Sequence, residues 1–166
     1  MELGRGIARR GAVAAPVPMD QFVCFAAGGG SYAVDILAVR EIRAWTPASP
    51  LPEMPPHMIG ILDLRGAMVP VFDLARRFGG PATRPTPTHV VLVVAVAGGV
   101  AGLLVDAVSD IVAVPAGGLL PAPEIERRAD AAYLDGLIPQ GEGLIAVLGP
   151  SRLFDLRGLA APGAGG

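Results

Sequence analysis

The sequence contains one cysteine, no lysine and few aromatic residues. Cys24 alone cannot build a disulfide framework or a thiolate metal cluster, so we predict a small buried hydrophobe in a reducing cytoplasm. All thirteen basic residues are arginine, and the net charge of −2 argues against the basic footprint of a nucleic-acid-binding domain. Aromatic residues, at 5% of the chain, are too few for a base-stacking platform. We therefore expect no nucleic-acid partner.

Groups suited to catalysis or metal binding are also scarce. There are two histidines, His57 in a proline-rich segment and His89 at the start of an apolar run. No G-x-S-x-G nucleophile elbow occurs, and residues 28–31 lack the lysine and the following helix of a phosphate-binding loop. No set of acids has the spacing of a calcium loop. We predict no catalytic residue, cofactor or metal, and keep a small enzyme using His57 or His89 as an alternative.

Long apolar segments suited to export or membrane insertion are weakly represented. Arg9-Arg10 could suggest a twin-arginine signal, but the residues after it contain Pro16 and Pro18 and form no apolar run. Residues 85–105 carry no charge, but prolines open the stretch and Gly98-Gly99 divides it into two β-rich runs. We predict no membrane insertion, with a hairpin through residues 90–105 as the weaker alternative. Residues 1–19 and 158–166 are interpreted as flexible tails.

What the sequence does contain is a series of short valine-, leucine- and isoleucine-rich runs separated by glycine turns. Such runs at close spacing predict strands of a β-barrel or sandwich. Helix is limited to three short candidates, residues 73–78 with Asp73 as N-cap, 124–132 and 151–156. The ten predicted strands are residues 22–26, 32–35, 39–45, 59–64, 67–71, 90–97, 100–105, 108–114, 133–138 and 144–148.

An internal repeat organises these strands. Residues 38–42 match 107–111, and residues 60–62 match 136–138. The second match continues without a gap to residues 68–72 against 144–148, and ends with Arg76 and Phe78 against Arg152 and Phe154. We predict a duplicated unit and an all-β fold with a few short helices. Two five-stranded barrels, roughly 20–85 and 86–157, would pack side by side to bury surface that neither could bury alone.

Two surface segments are candidates for binding. Residues 39–43 form a strand of mixed apolar and charged residues, whose apolar side chains we expect to face a core or a partner. In the second, Arg65 stands beside Gly66 at a tip between two apolar strands, where its side chain can reach outward. An ordinary turn cation without a partner is the alternative interpretation of Arg65.

Four motifs in unbroken order resemble the CheW family. Residues 32–43 resemble its pattern Y-G-I-D-I-x-x-V-x-E-I-R, and residues 60–74 resemble G-V-x-N-L-R-G-x-I-V-P-V-x-D-L. Residues 102–111 resemble G-L-x-V-D-x-V-S-D-V, and residues 133–137 resemble Y-I-x-G-L. The resemblance covers about residues 21–154 and implies two SH3-like β-barrels within a domain at residues 20–157.

The resemblance implies a non-catalytic adaptor in chemotaxis signal transduction. Its partners would be the cytoplasmic hairpin tip of methyl-accepting chemoreceptors and the regulatory domain of the histidine kinase CheA, in arrays on the inner face of the membrane. Carried over by motif, the receptor-binding residues would be Val39, Glu41, Gly60 and Arg65. A scaffold of another receptor–kinase system, such as pilus motility, is the alternative.

The sequence departs from the family pattern at three positions. Asp63 replaces the family's asparagine, Ala33 replaces a glycine, and Ala44 stands where glycine is common. Asp63 adds a negative charge beside Arg65, so we expect it to hold the guanidinium locally and weaken a receptor contact. The segments outside the module are short, and we expect no kinase or receiver domain in them.

Overall fold

The computed structural model describes residues 17–55, 57–121, 131–154 and 156–157. All ten predicted strands are present in this part of the chain, together with two short α-helices. The strands are β1 (Met19–Ala27), β2 (Gly30–Asp35), β3 (Val39–Ala44), β4 (Met58–Leu64), β5 (Ala67–Asp73), β6 (Val90–Val96), β7 (Gly99–Val105), β8 (Ala107–Pro115), β9 (Leu134–Gln140) and β10 (Gly143–Leu148), and the helices are α1 (Leu74–Arg77) and α2 (Pro150–Leu153).

The strands form two five-stranded sheets. Sheet I has the order β3-β6-β7-β5-β4, and sheet II has the order β8-β1-β2-β10-β9. The two orders become identical when β1–β5, here called unit 1, are matched with β6–β10, called unit 2. Each sheet also contains one parallel pair, β5 with β7 or β10 with β2. The all-β class with two five-stranded subdomains and a few short helices is confirmed, and the shared topology supports the predicted duplication.

Each sheet combines strands from both units, which corrects the expected division into barrels 20–85 and 86–157. The hairpin β1–β2 of unit 1 lies in sheet II with β8–β10, and the hairpin β6–β7 of unit 2 lies in sheet I with β3–β5. The division assumed that strands pair with their sequence neighbours, as they usually do. Here the eight residue pairs between β1 and β8 join the two units instead.

The chain passes between the sheets at two short crossings. After β2, Asp35 caps a 3₁₀ turn at Ile36–Ala38 by accepting a hydrogen bond from the Leu37 amide at 2.9 Å. After β7, Asp106 alone separates β7 from β8, and its amide donates to the Ala26 carbonyl at 2.8 Å. Because both crossings are this short, the two sheets are held in direct contact.

The buried side chains form three clusters. The largest is shared, with Phe25 and Leu148 of sheet II against Leu92 and Leu103 of sheet I. A second cluster lies within sheet I and a third, which includes the buried Cys24, lies within sheet II. The shared cluster agrees with the expectation that the subdomains bury surface together.

The uncharged run at β6 and β7 is buried on both faces. Val91 and Val93 enter the cluster of sheet I, while Leu92 and Val94 enter the shared cluster. A strand buried on both faces reads as a continuous apolar run, which explains this stretch without a membrane. At four residues each, neither α-helix of the described chain is long enough to cross a bilayer.

The two α-helices occur where the sequence predicts them. The Asp73 carboxylate caps α1 by accepting a hydrogen bond from the Arg76 amide at 3.4 Å, and Gly79 follows with φ +92°. Pro150 occupies the first turn of α2. The predicted helix at 124–132 falls almost wholly outside the described residues. Most of the predicted tail at 1–19 and all of the predicted tail at 158–166 also lie outside them.

Candidate functional site

The candidate site begins on β3, an edge strand of sheet I that pairs with β6. The pairing passes from Val39 with Val94 to Glu41 with Val93, so Arg40 is an extra residue in a β-bulge. β8 has the same irregularity, where Asp110 pairs with Cys24 and Val108 with Phe25. The bulge is therefore a feature of both units.

The bulge decides which face of β3 each side chain occupies. Val39 pairs with Val94 and packs on the shared cluster. Glu41 and Arg43 pair instead with Val93 and Val91, whose side chains belong to the cluster within sheet I. The extra residue Arg40 interrupts the alternation of the strand, so Val39 lies on the opposite face from Glu41 and Arg43. Of the two apolar residues expected to face a core or a partner, Val39 packs on the core and Ile42 is 47% exposed, while Glu41 and Arg43 are half-buried.

Arg65 occupies the tip of the β4–β5 hairpin. Leu64 pairs with Ala67, so the loop has two residues, Arg65 with φ +54° and Gly66 with φ +89°. Two positive φ angles indicate a type I′ turn, which matches the twist of the hairpin and favours glycine or asparagine. Arg65 is the one non-glycine residue with positive φ in the described chain. Arg65 thus combines a backbone conformation that favours glycine with a side chain that is 77% exposed.

The fold brings Arg65 and Glu41 together. Their side chains form a bidentate ion pair, with Nη1 to Oε1 at 3.1 Å and Nη2 to Oε2 at 3.2 Å. Arg43 Nη1 lies 3.7 Å from the same Oε1. The hydrogen bond from Arg65 lowers the pKa of Glu41, and the charges of Arg65 and Arg43 act in the same direction. The carboxylate therefore stays ionised at neutral pH and orients the Arg65 guanidinium.

Asp63 does not hold Arg65 as the sequence suggested. Its Oδ1 accepts a hydrogen bond from the Gly66 amide at 2.8 Å, which stabilises the turn. Asp63 and Arg65 are two positions apart and would share a face if the strand continued. The strand ends at Leu64, and the turn directs the Arg65 side chain toward β3 instead. Asp63 thus supports the loop that presents Arg65.

Gly60 is a buried packing position and not an exposed contact. A Cβ atom there would lie 2.5 Å from the Ser49 carbonyl oxygen, because Ser49 and Ile61 form a two-way backbone bridge beside it. Gly136 has the same role in unit 2, where Leu120 and Leu137 form the equivalent bridge. Val39 is partly buried against the shared cluster. Of the four motif residues, Glu41 and Arg65 are in contact, while Val39 and Gly60 shape the structure around them.

Exposed apolar side chains near these strands were not identified from the sequence. Met68 is 68% exposed and lines an open groove of about 560 Å³ with Leu51 and Ile61. Ile42 and Met68 correspond in the repeat to Ile111 and Leu144, which are also exposed. The repeat alignment and the alternation of side chains along a strand could have identified these four residues, because each occupies an outward position of its strand.

The histidines show no arrangement that identifies a catalytic centre. His89 Nδ1 accepts hydrogen bonds from the Thr86 amide and lies 3.0 Å from its hydroxyl, and His89 Nε2 lies 3.5 Å from Asp106. Since a backbone amide occupies Nδ1, this nitrogen is engaged in the turn before β6 and is not free to take a proton from Thr86. His57 packs against aromatic rings. No cluster of three potential metal ligands occurs among the described residues.

Comparison with known proteins agrees with this architecture. The model of the CheW-like domain family matches residues 21–157. A probable chemotaxis protein CheW from Rhizobium etli is 40% identical over 134 residues, covering 81% of this chain and 86% of that protein. The chemotaxis protein CheW of Rhizobium meliloti is 42% identical over 118 residues, covering 71% and 76%.

A solved structure shows the same fold. The scaffolding protein TtCheW from Thermoanaerobacter tengcongensis superposes with a TM-score of 0.76 at 28% identity, over 85% of this chain and 96% of that one. The family match spans both sheets and contains the whole Glu41–Arg65 site. The chain therefore belongs to the CheW-like domain family of chemotaxis scaffold proteins, which are not enzymes.

Proposed function

We propose that this chain couples methyl-accepting chemoreceptors to the histidine kinase CheA as a non-catalytic adaptor. The observation that carries the proposal is the ion pair between Glu41 and Arg65 on the surface of sheet I. It joins an edge strand to a hairpin tip across 24 positions of sequence, and Arg65 adopts a backbone conformation that favours glycine. The sequence therefore has an arginine at a turn position where its backbone conformation is unfavourable and where glycine would form the turn more readily.

The receptor-binding surface in this proposal contains all four motif residues in different roles. Arg65 presents its guanidinium to the receptor's cytoplasmic hairpin tip, and Glu41 fixes its direction. Val39 supplies apolar surface at the bulged end of β3. Gly60 allows the segment at Ser49 to lie close to β4, and thereby sets the shape of the neighbouring groove.

The two repeated apolar positions support pairing with the kinase. Ile42 and Met68 on sheet I, and Ile111 and Leu144 on sheet II, are exposed at equivalent places. Contiguous exposed apolar surface is typical of protein interfaces, and Met68 shares one open groove with Leu51 and Ile61. We assign them to contacts with the regulatory domain of CheA, so that one adaptor has two similar ends with which to build rings and arrays.

The mechanism in this proposal is mechanical. The shared core cluster makes the two sheets one rigid body, which holds receptor and kinase in a fixed relation. Many copies in an array on the inner face of the membrane raise the effective concentration, so each contact needs only modest affinity. The adaptor then shifts kinase activity by its differential affinity for the two kinase states.

A pull-down from cell extract tests the proposal. The wild-type chain should recover a histidine kinase and a coiled-coil receptor, and Arg65→Ala should lose the receptor while keeping the kinase. The matched control is Arg152→Ala, which removes an exposed arginine whose Nε lies 3.0 Å from Oδ1 of Asp135 on sheet II. Undiminished receptor recovery by Arg65→Ala would refute the assigned site.

The same experiment separates the alternatives. Recovery of the receptor and kinase of another system, such as one for pilus motility, would retain the adaptor mechanism and change the pathway. A small enzyme using His57 or His89 would lose function when both are replaced, whereas the adaptor should keep receptor and kinase recovery at neutral pH.

A further inference from the structure

His57 lies at the junction between the two units. Its ring centroid is 5.7 Å from that of Phe72, on β5 of unit 1, and 5.7 Å from that of Phe154, which follows α2 of unit 2. Phe72 and Phe154 stack at 4.1 Å with an interplanar angle of 18°. The imidazole therefore packs on the aromatic contact that joins the end of one unit to the other.

Arg77 crosses the same junction from α1. Its Nε donates a hydrogen bond to the Leu153 carbonyl at 3.2 Å. Its guanidinium carbon lies 4.9 Å from the Tyr133 ring centroid and 5.6 Å from that of Phe154. His57 and Arg77 line one cavity of about 160 Å³ together with Phe72 and Phe154. A cation of unit 1 thus already packs on the aromatic rings of unit 2 beside the imidazole.

The charged groups around His57 disfavour its protonation. Burial lowers the pKa of His57, and the positive charges of Arg77 and Arg76 lower it further. The Asp73 carboxylate, at the end of β5, accepts hydrogen bonds from the Thr83 amide at 2.6 Å and hydroxyl at 2.7 Å. Asp135 of β9 pairs with Arg152 of α2. Asp155 adjoins Phe154 in sequence but lies outside the described residues. Its contribution is therefore measured with an Asp155→Asn variant.

We propose that His57 makes the contact between the two units sensitive to pH, because protonation of its ring adds a third cation beside Arg76 and Arg77 and weakens the packing of Phe154 on unit 1. The adaptor would be most rigid when His57 is neutral. Mild acidification would loosen the junction on which the fixed geometry of the two sheets depends.

The direction of the effect follows from linkage. Since the pKa of His57 in the folded protein lies below the ordinary value of 6.5, the unfolded chain takes up the proton first as pH falls. The stabilising contribution of the neutral ring is therefore complete above about pH 6.5. It is lost as pH falls from there through the folded-state pKa.

The repeat provides a matched substitution. Tyr133 occupies the position of unit 2 that corresponds to His57, and its ring lies 5.9 Å from Phe78, the counterpart of Phe154. A phenol ring is therefore compatible with this type of contact. His57→Tyr and His57→Phe keep an aromatic side chain while removing the imidazole.

Thermal unfolding at pH 7.5 and 5.5 tests the proposal on the intact chain. We expect the Tm of wild type to fall by about 2–4 °C more than that of His57→Phe over this interval. His89→Gln, which replaces the other histidine, should retain the wild-type fall, and so should Asp155→Asn. An equal fall in Tm for wild type and His57→Phe would overturn the proposal. So would a fall in Asp155→Asn as small as that of His57→Phe, because Asp155 would then be the source of the effect.

Proton NMR of the two imidazoles keeps the proposal testable if His57→Phe does not fold. Arg77→Gln removes one of the two nearby cations, so we expect it to raise the titration midpoint of the His57 resonance. His57→Tyr identifies the resonance by its absence. A His57 midpoint at or above 6.5 in wild type would contradict the proposal, because protonation would then favour the folded junction.

Discussion

The two sheets share one topology but carry different chemistry at equivalent positions. Sheet I has Glu41 on its bulged edge strand and Arg65 at its hairpin tip, in a bidentate contact. In sheet II the corresponding residues are Asp110 and Gly141, and no ion pair to Asp110 occurs within the described chain. Both tips use positive φ, +54° at Arg65 and +59° at Gly141. The hairpin geometry therefore does not require the arginine, whereas the proposed receptor contact does.

Packing at the junction also differs between the units. Phe154 contacts Phe72 and His57, and its counterpart Phe78 contacts Tyr32 and Tyr133. Phe154 is buried, whereas Phe78 is only partly buried. Both units therefore keep aromatic contacts at equivalent positions, and His57 of unit 1 stands where unit 2 has Tyr133.

Removing the buried aromatic anchor should have the largest effect on stability. We expect Phe154→Ala to lower the free energy of unfolding by about 3–5 kcal/mol, because it deletes a ring from the shared core. Phe78→Ala should cost less, since that ring is partly exposed. Denaturant unfolding of both variants measures the difference, and equal losses would contradict the assigned asymmetry of the junction.

Substitution of the two glycines beside the backbone bridges should have the next largest effect on stability. We expect Gly60→Ala to cost about 1–3 kcal/mol, because the new methyl group would meet the Ser49 carbonyl. Gly136→Ala should cost less, since its closest contacts are at 2.8 and 2.9 Å compared with 2.5 Å at Gly60. A fully stable Gly60→Ala variant that loses receptor binding would instead make Gly60 a direct contact.

Transplanting the arginine should have the smallest effect on stability. Gly141→Arg places a cation at the tip of sheet II, in open space and at a position whose φ has the same sign as that of Arg65. Exposed ion pairs contribute little, and the positive φ angle opposes the gain, so we expect a small net change in the unfolding midpoint. Receptor affinity should not increase. A second receptor-binding site in this variant would show that topology and charge alone are sufficient.

The sequence predicted the elements well because their signals are local. Valine-rich runs bounded by glycine located all ten strands, and the Asp73 cap located α1. The repeat was visible because both units keep the same core spacing. The exchange of hairpins between the sheets was not visible, since the parallel pairing of β2 with β10 joins segments that are more than a hundred residues apart.

The candidate site was predicted by motif but not in its geometry. The motif named Glu41 and Arg65, whereas the negative charge of Asp63, which departs from the motif, suggested Asp63 as the local partner of the arginine. The actual pairing depends on the turn, which redirects Arg65 toward β3. The burial of Gly60 depends on the segment at Ser49, which reaches β4 from outside any predicted strand. Neither contact has a signature in local composition.

Calorimetric titration of the receptor's cytoplasmic fragment into Arg65→Ala and Arg152→Ala tests the central claim most directly. If Arg65 at the hairpin tip of sheet I binds the receptor, Arg65→Ala should weaken binding at least about tenfold, or about 1.4 kcal/mol, while Arg152→Ala keeps the wild-type affinity. Equal affinities for Arg65→Ala and wild type, with both proteins folded, would contradict it.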